Sequence, residues 1–123
     1  MNYNRSIKRK IELNANSEKV WSIISKKSNL ELFHPFCLKN PTIEWSDNSH
    51  KDTIYYLNGW ILERNWVNWI PGKGYDLLIG EKKKKKSYVS WRIIAGKNQQ
   101  SSILSIEIQP WFINQGNKWM QTI

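Results

Sequence analysis

The residue types best suited to chemistry in this sequence are His34 with Cys37, and the adjacent pair Glu63 and Arg64. His34 and Cys37 have a His-x-x-Cys spacing, but a zinc site needs three or four ligands. The second histidine, His50, falls in a polar turn, and a nucleophilic cysteine needs a lowered pKa that no neighbouring residue type suggests. We therefore expect no metal, no cofactor and no catalytic residue. His34 is interpreted as part of a turn, and Cys37 as a small buried apolar side chain.

Glu63 and Arg64 lie in the middle of a predicted strand, between apolar residues. If Arg64 points inward, its planar guanidinium suits a ligand carboxylate because it can bind both oxygens. The alternative is a pair of charges on the wet face of the sheet. The sequence leaves both interpretations open.

A run of five lysines at residues 82–86 supplies over half of the formal net charge of +9, and the rest of the chain carries +4. The run is interpreted as a solvated loop tip, with acidic phospholipid as the alternative partner. Nucleic acid is not expected, because the tryptophans fall on strands while the lysines cluster in a loop.

The bulk properties indicate a single globular domain over residues 1–123, with 40% hydrophobic and 24% charged residues. Cys37 is the single cysteine, so no internal disulfide is expected. The N-terminal residues resemble no secretory signal, and no segment is apolar enough to span a membrane. These features predict a cytoplasmic location.

Residues 52–79 are predicted to form three strands joined by two turns, at Asn58-Gly59 and at Pro71-Gly72. Asn58-Gly59 predicts a two-residue type I′ turn, which needs positive φ at both positions. Alternation predicts strands at residues 4–13, 87–95 and 101–110. A further strand is predicted at residues 38–45, where Pro41 indicates an edge position or a bulge. Asn16 or Ser17 is predicted to cap a short helix, and a second short helix at 29–33 should end at His34-Pro35.

The pattern is therefore α+β, with about seven antiparallel strands and two short helices after the first strand. A sheet of this size needs a further long helix to cover its apolar face. The C-terminal residues 111–123 include six large apolar side chains but are too short to cross the sheet. We therefore expect the long C-terminal helix to be truncated or absent.

Several segments carry a resemblance to a known family: residues 11–21 (IELNANSEKVW), 29–40 (NLELFHPFCLKN), 56–65 (YLNGWILERN) and 69–77 (WIPGKGYDL). With the order of elements, they resemble bacterial members of the START/polyketide-cyclase-like superfamily, also called the SRPBCC or helix-grip group. The resemblance covers residues 5 to about 112. It implies a curved antiparallel sheet that grips a helix around a deep cavity, which in this group binds lipids, sterols or polyketides.

Given that fold, five residues are the candidate ligand-binding set. They are Tyr56, Arg64, Trp66, Trp69 and Trp91. Pockets for small ligands are mostly apolar and aromatic with a few polar anchors, although aromatic residues also serve as ordinary core. A one-residue slip in strand parity exchanges Trp66 for Trp69 at the inner face.

The sequence thus predicts non-catalytic binding of a small hydrophobic or amphipathic ligand against the concave face of the sheet. One alternative is a cyclase, dehydratase or hydrolase that uses the same cavity, for which the sequence offers no convincing acid/base pair. Another is an interaction module that forms a homodimer through the uncovered sheet face.

Overall fold

A computed structural model of the chain describes residues 6–110, with Phe33 described by its backbone alone. This part of the chain forms eight strands and two short helices. They are β1 (Ile7–Leu13), α1 (Ser17–Ile24), α2 (Leu30–Phe33), β2 (Cys37–Lys39), β3 (Thr42–Trp45), β4 (His50–Tyr56), β5 (Ile61–Ile70), β6 (Gly74–Gly80), β7 (Ser87–Ala95) and β8 (Ser102–Gln109). The predicted α+β class is confirmed. The expected loss of a C-terminal helix concerns residues 111–123, outside the described residues.

All strand pairs are antiparallel, and they form one open sheet in the order β1-β8-β7-β6-β5-β4-β2, with β3 also paired to β4. The first strand lies beside the last, with Ile11 opposite Leu104. The hairpins from β4 to β8 run sequentially across the sheet, as the turn signals predicted.

The strand predicted at residues 38–45 is two strands, so the sheet has eight strands where the sequence indicated seven. Pro41 lies between β2 and β3, and it has no N–H to donate to a ladder. Its carbonyl accepts a hydrogen bond from Thr53 N at 3.0 Å, and both short strands pair with β4. The proline therefore interrupts the strand without removing it from the sheet.

The two helices begin and end close to the predicted positions. Asn16 caps α1, because its Oδ1 accepts a hydrogen bond from Lys19 N at 2.9 Å. Val20 and Ile24 of α1 are buried, which places this side of the helix toward the core. α2 ends where His34 takes an extended conformation before Pro35, as expected for a residue that precedes proline.

The turn at Asn58-Gly59 differs from the predicted type I′ geometry. Gly59 has φ of 86°, but Asn58 does not have positive φ. Gly59 N donates to Tyr56 O at 3.0 Å, so a type I turn is followed by one left-handed glycine, the usual three-residue hairpin. At the other turn, Gly72 has φ of 78° and Lys73 N donates to Ile70 O, which is a type II turn.

The hydrophobic core lies on one face of the sheet, called here the inner face. It is formed by alternate residues of β4 to β8 together with α1 and α2, and its least exposed apolar members are Ile54, Leu62, Tyr75, Leu77, Ile106 and Ile108. Gly74 is required beside this core, because a Cβ there would lie 1.9 Å from the carbonyl oxygen of Trp91. Among residues 6–110, no helix is long and apolar enough to cross a membrane.

Candidate functional site: the inner face of the sheet

A β-bulge in β5 brings Trp66 and Trp69 to the same face of the sheet. Trp66 lies opposite Leu77 and Asn68 lies opposite Asp76, so Val67 is an extra residue in β5. Beyond the bulge Trp69 lies opposite Tyr75. The bulge reverses the alternation once, which is why residues three apart share a face. The sequence left open which of Trp66 and Trp69 lies on the inner face, and in the structure both do.

The two tryptophans join a packed cluster of rings. His50 stacks on Trp69 with ring centroids 3.7 Å apart and planes at 8°. Trp69 in turn stacks on Tyr75 at 5.5 Å and 13°. Trp45 meets Trp66 and Trp69 edge to face, at 5.2 Å and 5.8 Å. We call His50, Trp45, Trp66, Trp69 and Tyr75 the aromatic cluster, and its members fill their part of the inner face.

Beside the aromatic cluster, Arg64 points inward and is only 3% exposed. Its guanidinium makes a two-pronged ion pair with Asp52, from Nε to Oδ1 at 2.8 Å and from Nη2 to Oδ2 at 2.5 Å. The guanidinium also lies over the ring of Trp66, at 4.5 Å from its centroid. Burial alone would lower the pKa of Arg64, but the charge and hydrogen bonds of Asp52 outweigh burial and raise it.

Two asparagines complete this arrangement. Arg64 Nη2 donates to Asn29 Oδ1 at 3.1 Å and to Asn40 Oδ1 at 3.2 Å. Asn29 Nδ2 then donates to Ile24 O at 2.5 Å. We call Asn29, Asn40, Asp52 and Arg64 the buried clasp, because it ties β4 and β5 to the residue before α2 and to the connection between β2 and β3. In this arrangement Arg64 binds the chain's own carboxylate, where the sequence suggested a ligand's.

Tyr75 connects the buried clasp to the aromatic cluster. Its hydroxyl donates to Ile24 O at 3.0 Å, the carbonyl that also accepts from Asn29. Burial raises the pKa of Tyr75 to about 12, so this hydroxyl stays protonated at neutral pH. Nearby, Trp66 Nε1 is buried and has no hydrogen-bond partner among the described residues.

The other half of the inner face contains an open apolar cavity of about 320 Å³ between α1 and the strands β1, β7 and β8. Within residues 6–110, nine of the ten residues that line it are apolar: Ile11, Leu13, Ala15, Val20, Ile23, Ile24, Trp91, Leu104 and Ile106, with the exposed Asn14 as the tenth. We call this space the open cavity. Its volume lies at the lower end of the range for small-molecule sites.

Of the five predicted ligand-binding residues, Trp91 lines the open cavity. Trp66 and Trp69 belong to the aromatic cluster and Arg64 to the buried clasp. Tyr56 lies toward the opposite end of the sheet, with its ring 5.9 Å from that of His34 and 5.7 Å from that of Trp60. The structure therefore divides the predicted set among four regions and brings only one of its members to the open cavity.

The remaining lining residues were not singled out by the sequence analysis as candidates for ligand binding. Their alternation and helical spacing identified which side faces inward. Neither signal could show that a space remains between the helix and the sheet, because that depends on how closely the two elements approach.

His34 and Cys37 hold a turn together. Phe36 N donates to His34 Nδ1 at 3.2 Å, and Cys37 N donates to His34 O at 3.2 Å. Burial raises the pKa of the Cys37 thiol, so it is held in its less reactive protonated form. Within residues 6–110, no three histidine, cysteine, aspartate or glutamate residues come together as a metal site would require.

Comparisons with known proteins identify the fold. No family model and no curated protein matches the sequence. Among solved structures, the protein XoxI from Bacillus cereus has a TM-score of 0.75 at 11% identity, over 95% of this chain and 86% of that one. A START superfamily protein from Mycobacterium smegmatis has a TM-score of 0.67 at 12% identity, over 85% of this chain and 75% of that one.

A third similar structure is the Zhui aromatase/cyclase from a Streptomyces species, with a TM-score of 0.69 at 13% identity. The match covers 85% of this chain and 66% of that protein. At such identities the similarity concerns the fold alone. The chain has a START-like helix-grip fold, as the sequence resemblance implied.

Proposed function

We propose that this protein binds a small hydrophobic or amphipathic molecule in the open cavity, without catalysing a reaction. The observation that supports this most is the cavity itself, because nine apolar side chains from α1, β1, β7, β8 and the β1–α1 connection surround a space they do not fill. Trp91 supplies an aromatic surface, and Asn14 is the polar residue among the described lining. An apolar ligand body with one polar end fits this distribution.

The location of the cavity also supports the proposal. It lies under α1, whose first turn is fixed by the Asn16 cap, and above strands that are paired along their length. A cavity between rigid elements needs little ordering when a ligand enters, so less binding free energy is lost. The cytoplasmic location expected from the sequence stays a prediction.

The experiment is a titration with a fluorescent fatty-acid probe, followed by its displacement with unlabelled ligands. We expect Ile23→Trp, which puts an indole into the open cavity, to weaken probe binding by about tenfold or more. Ser22→Trp is the matched control, because Ser22 lies on the exposed side of the same helix. Equal binding by the wild type and both variants would count against the open cavity as the site.

A second candidate function is an enzyme of the aromatase/cyclase type, suggested by the Zhui protein and two other cyclases of similar fold. In this chain the inward charges, Arg64 and Asp52, are paired with one another. An acid or base would have to be released from that pair before it could act on a ligand. Turnover of a polyketide-like substrate by the wild type that is lost in Arg64→Gln, with folding retained, would favour this candidate.

A third candidate is an interaction module that forms a homodimer through the uncovered sheet face, together with apolar residues after position 110. Those residues lie outside the described part of the chain. Sedimentation velocity over a range of concentrations tests a dimer directly, and it is the natural companion to the probe measurement.

A further inference from the structure

Large apolar side chains are exposed at the end of the sheet where β4 turns into β5. The exposed fractions are 62% for Leu57 in the turn, and 51% for Phe36 and 62% for Leu38 beside it. The segments are in direct contact, because Leu57 N donates to Phe36 O at 2.9 Å and Cys37 pairs with Tyr56. We call Phe36, Leu38 and Leu57 the tip patch. Scattered exposed leucines are ordinary, but an adjacent group of this kind marks an interaction surface.

The five-lysine run at residues 82–86 lies at the same end of the molecule. Trp60, which follows the β4–β5 turn, donates from Nε1 to Glu81 Oε1 at 3.1 Å. Gly59 of the turn and Lys82 line one groove, of about 660 Å³. The loop between β6 and β7 is therefore a neighbour of the turn that carries Leu57, although the two are far apart in sequence.

The loop keeps a strongly positive character. Glu81 Oε2 pairs with Lys84 Nζ at 2.7 Å, and it is the one acidic residue next to the run in sequence. Residues 82–85 are exposed. At the opposite end of the sheet, the turns at residues 71–73 and 96–101 carry one lysine each, Lys73 and Lys97. Five lysines and three exposed apolar side chains are thus neighbours at one end of the sheet.

We propose that this end docks on the surface of a bilayer containing anionic lipids. The tip patch would enter the headgroup region, while residues 82–86 lie against the lipid phosphates. Peripheral membrane contact typically combines shallow apolar insertion with a cluster of basic residues, since either contribution alone is weak. The charge of the loop is what favours an anionic bilayer over a second copy of this chain, which carries the same positive charge.

The test is sedimentation with phosphatidylcholine vesicles, with and without phosphatidylglycerol. We expect binding to the mixed vesicles, with little binding to phosphatidylcholine alone and a steep loss as salt is added. Changing Lys82, Lys83 and Lys85 together to Gln should lower binding by about tenfold or more. Leu57→Asp, at an exposed turn position, should also lower binding by about tenfold.

Matched controls separate location from overall charge. A second triple variant, with Gln at Lys19, Lys73 and Lys97, removes the same number of charges away from this end of the sheet. Ile94→Asp places an acid at a 41% exposed apolar residue near the far end of β7. Both controls should bind the mixed vesicles within about twofold of the wild type. Circular dichroism of every variant verifies that the fold is retained.

Other results would overturn the proposal. Equal loss of binding in the two triple variants would mean attraction by net charge alone. Equal binding to the two kinds of vesicle would remove the role of the lysine run. A wild type that ignores vesicles but forms a dimer dispersed by Leu57→Asp would assign the tip patch to a second copy. The proposal does not depend on the open cavity, and the Ile23→Trp variant should dock normally.

Discussion

The two halves of the inner face differ in how the space between the sheet and the helical segments is occupied. Under the segment that links α1 to α2, the chain fills the face with its own groups, the buried clasp and the aromatic cluster. Under α1 itself, it leaves the open cavity, lined by aliphatic side chains and Trp91. The filled half satisfies nearly every buried polar group internally, whereas the open half has almost none to satisfy. One face of a sheet can therefore be rigidly packed in one half and keep space for a ligand in the other half.

The largest effect should come from breaking the buried clasp. We expect Asp52→Ala to lower the free energy of unfolding by about 3–5 kcal/mol, because Arg64 would keep its charge without its partner. Chemical denaturation measures this. Lys84→Ala is the control, since it breaks an exposed ion pair and should cost less than about 1 kcal/mol.

A double variant sharpens this prediction. Replacing both charges with apolar residues, Asp52→Leu with Arg64→Met, should recover much of the lost stability, because no unpaired charge then remains buried. If Asp52→Ala lowered the free energy of unfolding no more than Lys84→Ala does, the buried clasp would not stabilise the fold.

A smaller effect should distinguish the two halves by packing. Leu62 is fully buried in the filled half, so Leu62→Ala should cost about 2–5 kcal/mol. Leu13 is half-buried beside the open cavity, and Leu13→Ala should cost only about 1 kcal/mol. Thermal and chemical unfolding of the Leu62→Ala and Leu13→Ala variants measures the two losses of stability. Equal, large costs would show that the space under α1 is closed in solution.

The smallest expected effect is a pH dependence from His50 in the aromatic cluster. Burial lowers the pKa of His50, and the charge of Asp47 only partly opposes this. The unfolded chain therefore binds the proton more tightly, so stability is complete above about pH 6.5 and falls as the pH drops through the lower folded pKa.

His50→Phe keeps a ring in the stack but cannot titrate, so its melting temperature should fall less than that of the wild type between neutral and mildly acidic pH. Comparing the two melting temperatures as a function of pH separates the contribution of His50 from that of the carboxylates, which both proteins share. A wild type and variant with parallel curves would mean that His50 has the same pKa folded and unfolded.

Local signals explain most of what the sequence predicted correctly. Asn16 as a cap, His34-Pro35 as a helix end and the alternation in β7 and β8 each depend on residues close together in the chain. The same local logic misjudged the turn at Asn58-Gly59, where one left-handed residue was enough. It also merged β2 with β3 into one strand, although Pro41, which has no N–H to donate, lies between them.

The candidate site was only partly predictable, because its decisive features are not local. The sequence alone determined that Trp66, Trp69, Trp91 and Arg64 lie on strands of an antiparallel START-like sheet. Only the tertiary structure decided that a bulge at Val67 puts both Trp66 and Trp69 on one face. It also decided that Arg64 forms an ion pair with Asp52. Periodicity reports which side of an element is apolar. Strand register, bulges and helix placement decide which side chains meet, and hence where the chain fills its core and where it leaves room.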